Sequence, residues 1–474
     1  MAHISTILVC IAVTFSAWAF GGAETWAIYV LGGLSLVAFG VARWHPTTSR
    51  TAGLRGAGGG KVTGGHRFSV SAFLPFSFSL RPFSFSAFQY FSVSVFIFFL
   101  ISILNPSHSY SVVDQGLTVL PHISWLPSTV SRVLTFNALL LLFSYFTIYW
   151  ISSRIINRAS FNILIGVIIV GAVCMAILAL LQGSDNNSDL TGMFLNDNNF
   201  SSYINLVLPV VMGFARTLHK RAKSIHSRSN PAVLLYFCAG ILAASVFFTG
   251  SRAGAVITMM ILLAWLLLEL NEVRRYRSKS RHNILHIILP VLSVLGLLII
   301  SGVGGWYDQL ANPVTKLGSV VTSRWLAIGD TWQMFQDRFL YGVGAGSFRA
   351  AFPYYQDAGL SGFYRNAHND WVQWLAELGI IGCIFCLVAV IASFRRCSND
   401  RKELYLSKSV ARGMWLGLFG VSMHAMIDFP FHIPAIAVIV AVWIGMLSHR
   451  PYGVFSSLKN RRSSSNIRRS KNRV

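Results

Sequence analysis

The stretch FNILIGVIIVGAVCMAILALLQ, residues 161–182, carries no charged side chain. A helix of about 20 apolar residues can cross the roughly 30 Å hydrocarbon core of a bilayer. Comparable runs recur throughout the 474 residues, which are 54% hydrophobic and only 12% charged. The pattern predicts an all-α polytopic membrane protein with about twelve transmembrane helices, at about residues 4–20, 25–42, 84–104, 134–151, 161–182, 199–215, 232–249, 254–270, 284–302, 374–393, 411–427 and 434–449.

The basic residues are distributed unevenly between the two sides of these spans. A net charge of +23 could indicate nucleic-acid binding, but 32 of the 39 Lys and Arg residues fall in alternate connectors and the C-terminal tail. This is the distribution of the positive-inside rule, in which Lys and Arg mark the cytoplasmic loops. We therefore predict that both termini are cytoplasmic, that the protein binds no nucleic acid, and that its basic side contacts anionic membrane lipid.

The connectors divide the chain into six segments. Residues 1–42 hold the first two spans; FSAWAFGGA (15–23) resembles a signal-peptide cleavage site, but no Lys or Arg precedes it, which favours an uncleaved span. Residues 43–83 form a cytoplasmic Gly-rich linker and a Phe/Ser-rich interfacial segment, and the spacing from Gly56 to Lys61 does not fit a phosphate-binding loop. The remaining segments are 84–302 (spans three to nine), 303–373 (a long extracytoplasmic loop), 374–449 (spans ten to twelve) and 450–474 (a basic cytoplasmic tail).

The loop between spans nine and ten is predicted to be structured. Apolar residues recur at helical spacing in SRWLAIGDTWQMFQDRFL (323–340), and GVGAGS (342–347) interrupts the pattern. A helix of this kind can lie on the membrane surface with its apolar face toward the lipid. Because loops held on a rigid scaffold often carry active sites, we expect this loop to cap a functional site.

Three residues on the predicted extracytoplasmic side could carry chemistry. Arg252 lies in the tight turn TGSRAG, Arg324 at the predicted start of the loop helix, and His368 at the end of the loop. Arginine binds phosphate with two hydrogen bonds, and a helix N-terminus adds further N–H donors; histidine is the usual general base near neutral pH. Each residue has a plainer alternative, since Arg252 could be an interfacial anchor, Arg324 a solvated helix residue and His368 a polar turn residue.

Two weaker polar clusters face the same side. The amides of Asn196 and Asn198 in MFLNDNNF, and that of Asn369, could hydrogen-bond sugar hydroxyls or simply belong to polar turns. His424 and Asp428 are four residues apart, which places them on one helix face, either as support for a site or as a structural hydrogen bond. The sequence shows no cluster of His, Asp and Glu with metal-ligand spacing, so we expect no metal and no cofactor.

The order of these motifs resembles the O-antigen ligase and polymerase family. TGSRAG (249–254), SRW (323–325) and AHNDWVQWLAELGIIG (367–382) follow one another, and the His-Asn…Glu-x-Gly-x-x-Gly block is the most specific part. The resemblance covers roughly residues 190–440. It implies an all-helical membrane fold of the GT-C type in the bacterial inner membrane, with the active site at the periplasmic face.

The resemblance also implies a reaction. Members of this family use undecaprenyl-diphosphate-linked glycans as donors; their diphosphate-binding arginines correspond to Arg252 and Arg324, and their proposed base to His368. The implied activity is that of an inverting, metal-independent glycosyltransferase, whose acceptor could be a glycan, the lipid A core or a protein hydroxyl. A transporter or flippase of lipid-linked saccharides is the alternative, because it would bind the diphosphate without chemistry, although the sequence shows no internal repeat of the six-plus-six kind that marks many transporters.

Overall fold

The computed structural model describes residues 2–43, 87–111, 116–154, 158–182, 191–224, 230–275, 316–398 and 406–448. These residues form thirteen α-helices and one two-stranded sheet. The helices are α1 (Ala2–Trp18), α2 (Thr25–Arg43), α3 (Ala87–Leu104), α4 (Arg132–Ser152), α5 (Arg158–Gln182), α6 (Asp197–Ser224), α7 (Ala232–Phe248), α8 (Arg252–Arg275), α9 (Lys316–Asp337), α10 (Phe348–Ala351), α11 (Asp370–Ser398), α12 (Lys408–His424) and α13 (Pro434–Leu447). Short 3₁₀ helices lie at Phe20–Gly22, Phe352–Tyr354 and Pro430–His432.

A helix occupies eleven of the twelve predicted spans. The ninth predicted span, residues 284–302, lies outside the described residues, as do residues 44–83 and the predicted tail at 450–474. Of the described helices, α2, α4, α5, α8 and α11 are long and apolar enough to cross a membrane, while α1, α3, α7 and α13 contain shorter apolar stretches. These helices make the chain a multi-pass membrane protein. The count of twelve spans stays a prediction.

Helix α6 contacts α5, α7, α8, α12 and α13, and its closest approach is to α12. A Cβ atom added to Gly413 of α12 would lie 2.2 Å from the carbonyl oxygen of Pro209, and one added to Gly417 would lie 2.5 Å from that of Leu206. Small residues at such positions let two membrane helices approach backbone to backbone. Because the contacts run in opposite directions along the two chains, α6 and α12 are antiparallel.

Helices α6 and α8 run parallel, with their N-termini side by side. Asn205 of α6 donates from Nδ2 to the carbonyl of Gly254 at 2.9 Å and accepts at Oδ1 from the hydroxyl of Thr258 at 2.6 Å. A Cβ atom added to Gly254 would lie 2.4 Å from the Cβ of Ser201, one turn earlier on α6. Helix α6 therefore fixes the start of α8 on one side and the end of α12 on the other.

The mostly helical fold includes one short sheet, which lies in the connector between α3 and α4. This connector contains an antiparallel β-hairpin of β1 (His108–Ser111) and β2 (Gly116–Val119). A hairpin this short is at best marginally stable alone. It is supported by the long loop, because the Tyr354 hydroxyl accepts from the backbone amide of Leu117 at 2.9 Å.

Helix α11 is interrupted where the long loop docks against it. Gly379 has φ 62° and ψ −176°, a conformation that is essentially confined to glycine. Two amides beyond the interruption donate to the loop, and two loop amides donate to carbonyls before it. The four bonds are Ile380 to Phe339 (2.9 Å), Ile381 to Leu340 (3.2 Å), Val343 to Ala376 (2.9 Å) and Gly344 to Glu377 (3.0 Å).

Candidate functional site

His368 ends the long loop in a backbone conformation that side chains seldom adopt. Its φ of 54° lies in the left-handed region, and no other non-glycine residue in the described ranges has a positive φ. The chain is held on both sides of it, because Ala367 donates its amide to Oε1 of Gln373 at 2.9 Å and Asp370 donates its amide to the carbonyl of Asp428 at 3.2 Å. Strain of this kind costs about 1–3 kcal/mol and clusters at functional sites.

The imidazole of His368 faces the carboxylate of Asp428. Nδ1 of the histidine is 3.3 Å from Oδ1 of Asp428, and the side chains are 26% and 2% exposed, respectively. The rings of Tyr364 and Phe429 contact the imidazole at centroid distances of 6.4 and 5.2 Å. A buried carboxylate behind a partly exposed imidazole orients a general base and stabilises its protonated form.

His424 and Asp428, predicted as one pair, bind different partners. Helix α12 ends at His424, so Asp428 lies in the following connector and faces His368. Nδ1 of His424 is hydrogen-bonded to the hydroxyl of Ser202 on α6 at 2.8 Å. Within the described residues, Nδ1 of His368, Oδ2 of Asp428 and Nε2 of His424 are among the buried polar atoms without a hydrogen-bond partner, so the 3.3 Å approach of His368 to Asp428 is a close charge contact rather than an aligned hydrogen bond. Because buried polar atoms normally have partners, the cluster keeps hydrogen-bonding capacity that the fold itself does not use.

Arg324 belongs to the same cluster, but it is not at a helix N-terminus. Helix α9 begins eight residues earlier, so the prediction that free backbone N–H groups assist Arg324 is wrong. Its Nη1 donates to the carbonyl of Ile427 at 3.5 Å, next to Asp428. Burial would raise the pKa of Asp428, but the side chains of His368, His424 and Arg324 hold that pKa below its ordinary value. Asp428 is therefore ionised at neutral pH.

Arg252 is the residue that stands at a helix N-terminus. It is exposed and begins α8. Ser251 caps this helix, because its Oγ accepts from the amide of Gly254 at 3.0 Å and donates to Oδ1 of Asn198 at 2.6 Å. The first amides of a helix favour an anion, so the guanidinium and the helix start act in the same direction.

The three candidate asparagines contribute to the fold around the site. Asn196 caps α6, with Oδ1 accepting from a first-turn amide at 2.8 Å, and Asn198 binds the Ser251 hydroxyl as described. Asn369 caps α11 by accepting from the amide of Trp371 at 3.0 Å, and its Nδ2 donates to the carbonyl of Met426 at 3.0 Å. These bonds connect the starts of α6 and α11 to their neighbours.

Helix α6 joins the two groups of candidate residues. Its first turns contact the segment before Arg252, through Asn198 and through Ser201, whose hydroxyl is 3.1 Å from that of Thr249. The next residue, Ser202, contacts His424 at the end of α12. The arginine at the start of α8 and the cluster around His368 therefore lie at the same end of the bundle.

A second buried network adjoins this cluster, and it was not predicted. The buried carboxylate of Asp370 accepts from Nδ1 of His432 and, at 2.8 Å, from the amide of Phe431. Nε2 of His432 lies 4.0 Å from Oε2 of Glu377 and 3.1 Å from the amide nitrogen of Gln373. Burial would lower the pKa of His432, but the two carboxylates raise it to about 10. The ring is therefore a cation at neutral pH, and Glu377 places a second carboxylate near its other nitrogen.

Glu377 continues this network into the glycine-rich part of the loop. Its Oε2 accepts from the amide of Gly346 at 2.7 Å, and its Oε1 accepts from the amide of Phe348 at 3.3 Å and from Gln373 at 3.1 Å. The glutamate of the Glu-x-Gly-x-x-Gly motif thus holds the loop at the point where Gly379 opens the helix. A signal was present in the sequence, since polar residues three and four apart in an apolar helix are costly unless they have partners.

Residues 237–387 match the family model described as O-antigen ligase. None of the curated proteins matches the chain. The matched segment runs from α7 into α11 and includes Arg252, Arg324 and His368, whereas His424 and Asp428 lie beyond it. The match supports an enzyme of cell-surface polysaccharide biosynthesis with lipid-linked glycan and acceptor substrates. It confirms the resemblance that the motifs indicated, because residues 237–387 are similar to the O-antigen ligase family.

Proposed function

We propose that the protein is an inverting, metal-independent glycosyltransferase. It would move a glycan from an undecaprenyl-diphosphate carrier to an acceptor hydroxyl at the periplasmic face of the bacterial inner membrane. The observation that carries this proposal is the partly exposed His368, held in a strained conformation against the buried carboxylate of Asp428. This arrangement is that of a general base with its orienting acid, and His368 lies in the segment that matches the O-antigen ligase family.

In the proposed mechanism the two arginines bind the donor diphosphate. The glycosidic bond between the anomeric carbon and the phosphate oxygen breaks with its electron pair moving to the diphosphate, so negative charge grows on the leaving group. Arg252 at the start of α8 and Arg324 on α9 would neutralise that charge, which is the main way in which a protein stabilises such a transition state. Undecaprenyl diphosphate leaves with the electron pair, and no metal is required by this scheme.

His368 would take the proton from the acceptor hydroxyl as its oxygen attacks the anomeric carbon. General-base catalysis of this kind is worth typically about 10²–10⁴-fold. Asp428 would stabilise the imidazolium that forms, and the attack from the face opposite the diphosphate would invert the anomeric configuration. We assign Asn369, both of whose polar side-chain atoms bond within the fold, to positioning His368, and propose Asn196 and Asn198 as contacts to the glycan.

The test is product formation by the purified protein in detergent. A defined undecaprenyl-diphosphate oligosaccharide would be supplied with lipid A core, glycan and peptide acceptors, with and without a chelator, and product would be followed by mass spectrometry. Wild type would be compared with His368→Ala and Asp428→Asn. His122→Gln would serve as the control, because that half-buried histidine lies in the connector between α3 and α4, outside the cluster around His368, and its ring is hydrogen-bonded to the carbonyl of Leu120.

We expect product from the wild type and the control, a loss of about 10²-fold or more in His368→Ala, and unchanged donor binding in all four proteins. The acceptor that yields product would distinguish a ligase from a polymerase or a protein glycosyltransferase. Donor binding without product from any acceptor would instead favour the transporter or flippase.

A further inference from the structure

We infer that Asp370 and His432 form a positioning pair that holds Asp428 against His368. This inference rests on the proposed function, because its effect is on the rate of glycosyl transfer. Neither residue would touch the substrate. The pair would set the distance between two groups that come from different parts of the chain, the end of the long loop and the connector between α12 and α13.

The first argument is that Asp370 binds both ends of that connector. Its backbone amide donates to the carbonyls of Ala425 and Asp428 at 3.0 and 3.2 Å. Its carboxylate accepts from the amide of Phe431 at 2.8 Å and from the ring of His432. Asp428 is itself held by its carbonyl and lies between Ala425 and Phe431, and His368 lies two residues before Asp370. One residue therefore fixes the connector relative to the loop.

The second argument is that the contacts of the pair are made to the fold, and that its carboxylate is fully buried. The Asp370 side chain is 0% exposed, so it cannot reach a substrate. Phe431 packs between the rings of Trp371 and Trp374, at centroid distances of 5.9 and 5.4 Å. The second nitrogen of His432 faces Glu377, whose carboxylate accepts from the backbone amides of Gly346 and Phe348 in the long loop. The pair thus joins three segments: the connector between α12 and α13, the first turns of α11, and the long loop before α11.

The third argument concerns why charges are used at this position. A buried ion pair adds little net stability compared with apolar residues of the same size, but its directional bonds can specify one arrangement. Specifying the arrangement matters here, because a displacement of about 1 Å in a catalytic group can cost about 10²-fold in rate. A role in overall stability alone would not separate turnover from donor binding, whereas a positioning role would.

The experiment uses the full chain and the transfer assay described above. The variants are Asp370→Asn, His432→Gln and the double variant, with His122→Gln as the matched histidine control. For each protein we would measure kcat, the KM for donor, donor binding, and monodispersity after purification. The double variant leaves neither partner as an unpaired charge, so it keeps the test decidable if a single variant fails to fold.

We expect kcat to fall about 10- to 100-fold in each single variant, with the KM for donor and donor binding unchanged. The double variant should lose no more than the more affected single variant, because residues that act as one unit are not additive. Wild-type kcat in any folded variant of the pair would overturn the inference, and so would a parallel loss of donor binding. No product from the wild type would instead overturn the proposed function, and this inference with it.

Discussion

Replacing Gly379 by Ala is expected to displace the long loop from α11. The φ of 62° and ψ of −176° are strained for any side chain, at a cost of about 1–3 kcal/mol. The added Cβ would lie 2.4 Å from the carbonyl carbon and oxygen of Leu340 and from the amide nitrogen of Tyr341. All three are backbone atoms, so no side-chain rotation relieves the contact, and the loop must move by about 1 Å to reach an ordinary separation.

That movement would lengthen the two hydrogen bonds by which Ile380 and Ile381 hold the loop. At about 0.5–1.5 kcal/mol each, their loss together with the backbone strain gives a total of about 2–6 kcal/mol. The assay is thermal unfolding of the purified protein, with limited proteolysis of the loop and the transfer assay in parallel. We expect a lower unfolding midpoint, faster cleavage within the loop, and turnover reduced about 10²-fold.

Gly329→Ala is the matched control, because it makes the same substitution on α9, where nothing lies within 4 Å of the added atom. It should leave the unfolding midpoint unchanged or raise it, since alanine is favoured over glycine in a helix by about 1 kcal/mol. If Gly379→Ala behaves like this control in midpoint, proteolysis and turnover, then the interruption of α11 does not hold the loop and the reasoning fails.

Three further predictions address the site, the helix packing and the pH dependence. Arg324→Lys keeps the charge but removes the planar guanidinium that binds phosphate with two hydrogen bonds. Initial-rate measurements should therefore give a KM for the donor that is raised about 10-fold. An unchanged KM would show that Arg324 does not bind the donor. Gly413→Ala would place a methyl group 2.2 Å from the carbonyl oxygen of Pro209 and should lower the unfolding midpoint, whereas Gly171→Ala on α5, which has open space, should not; equal midpoints would contradict the close packing of α6 and α12. Because the folded protein raises the pKa of His432 from 6.5 to about 10, the stability it contributes is fully present below pH 6.5 and is lost as the pH rises through about 10. The midpoint should therefore decline over that range in the wild type and decline less in His432→Gln, and parallel curves for the two proteins would show that the histidine is not the group responsible.

The helices could be predicted because apolar length is a local property of the sequence. The boundaries were less predictable where polar residues continue a helix. Helix α9 was expected to begin at Arg324, but the segment from Lys316 is already helical and Gly318 does not end it. The β-hairpin and the interruption at Gly379 could not be predicted, because each depends on a partner far away in the sequence, Tyr354 for the hairpin and Phe339 for the interruption.

For the candidate site, the residue types could be predicted but their partners could not. Spacing along a helix detects pairs three or four residues apart, which is why His424 was paired with Asp428. The structure pairs Asp428 with His368 instead. It also brings Asp370 to His432, and in both pairs the two residues are far apart in the sequence. Such contacts depend on how the connector between α12 and α13 folds back over the start of α11, and this follows from packing rather than from local sequence.

The block AHNDWVQWLAELGIIG, residues 367–382, contains more positioning residues than reacting ones. In the proposed mechanism only His368 reacts, and the other polar residues hold the loop and the connector in place. The positioning residues are needed because the site is built from separate segments of the chain. The proposed site is assembled from the loop end, α9, the start of α8 and the connector between α12 and α13, and no continuous element of secondary structure fixes their relative positions. Directional polar contacts can fix them, but within an apolar helix each such group is costly unless its partners are complete. The carboxylates of Asp370 and Glu377 meet that condition through His432 and the loop amides, so the groups that make the block recognisable are also those that keep His368 at its distance from Asp428.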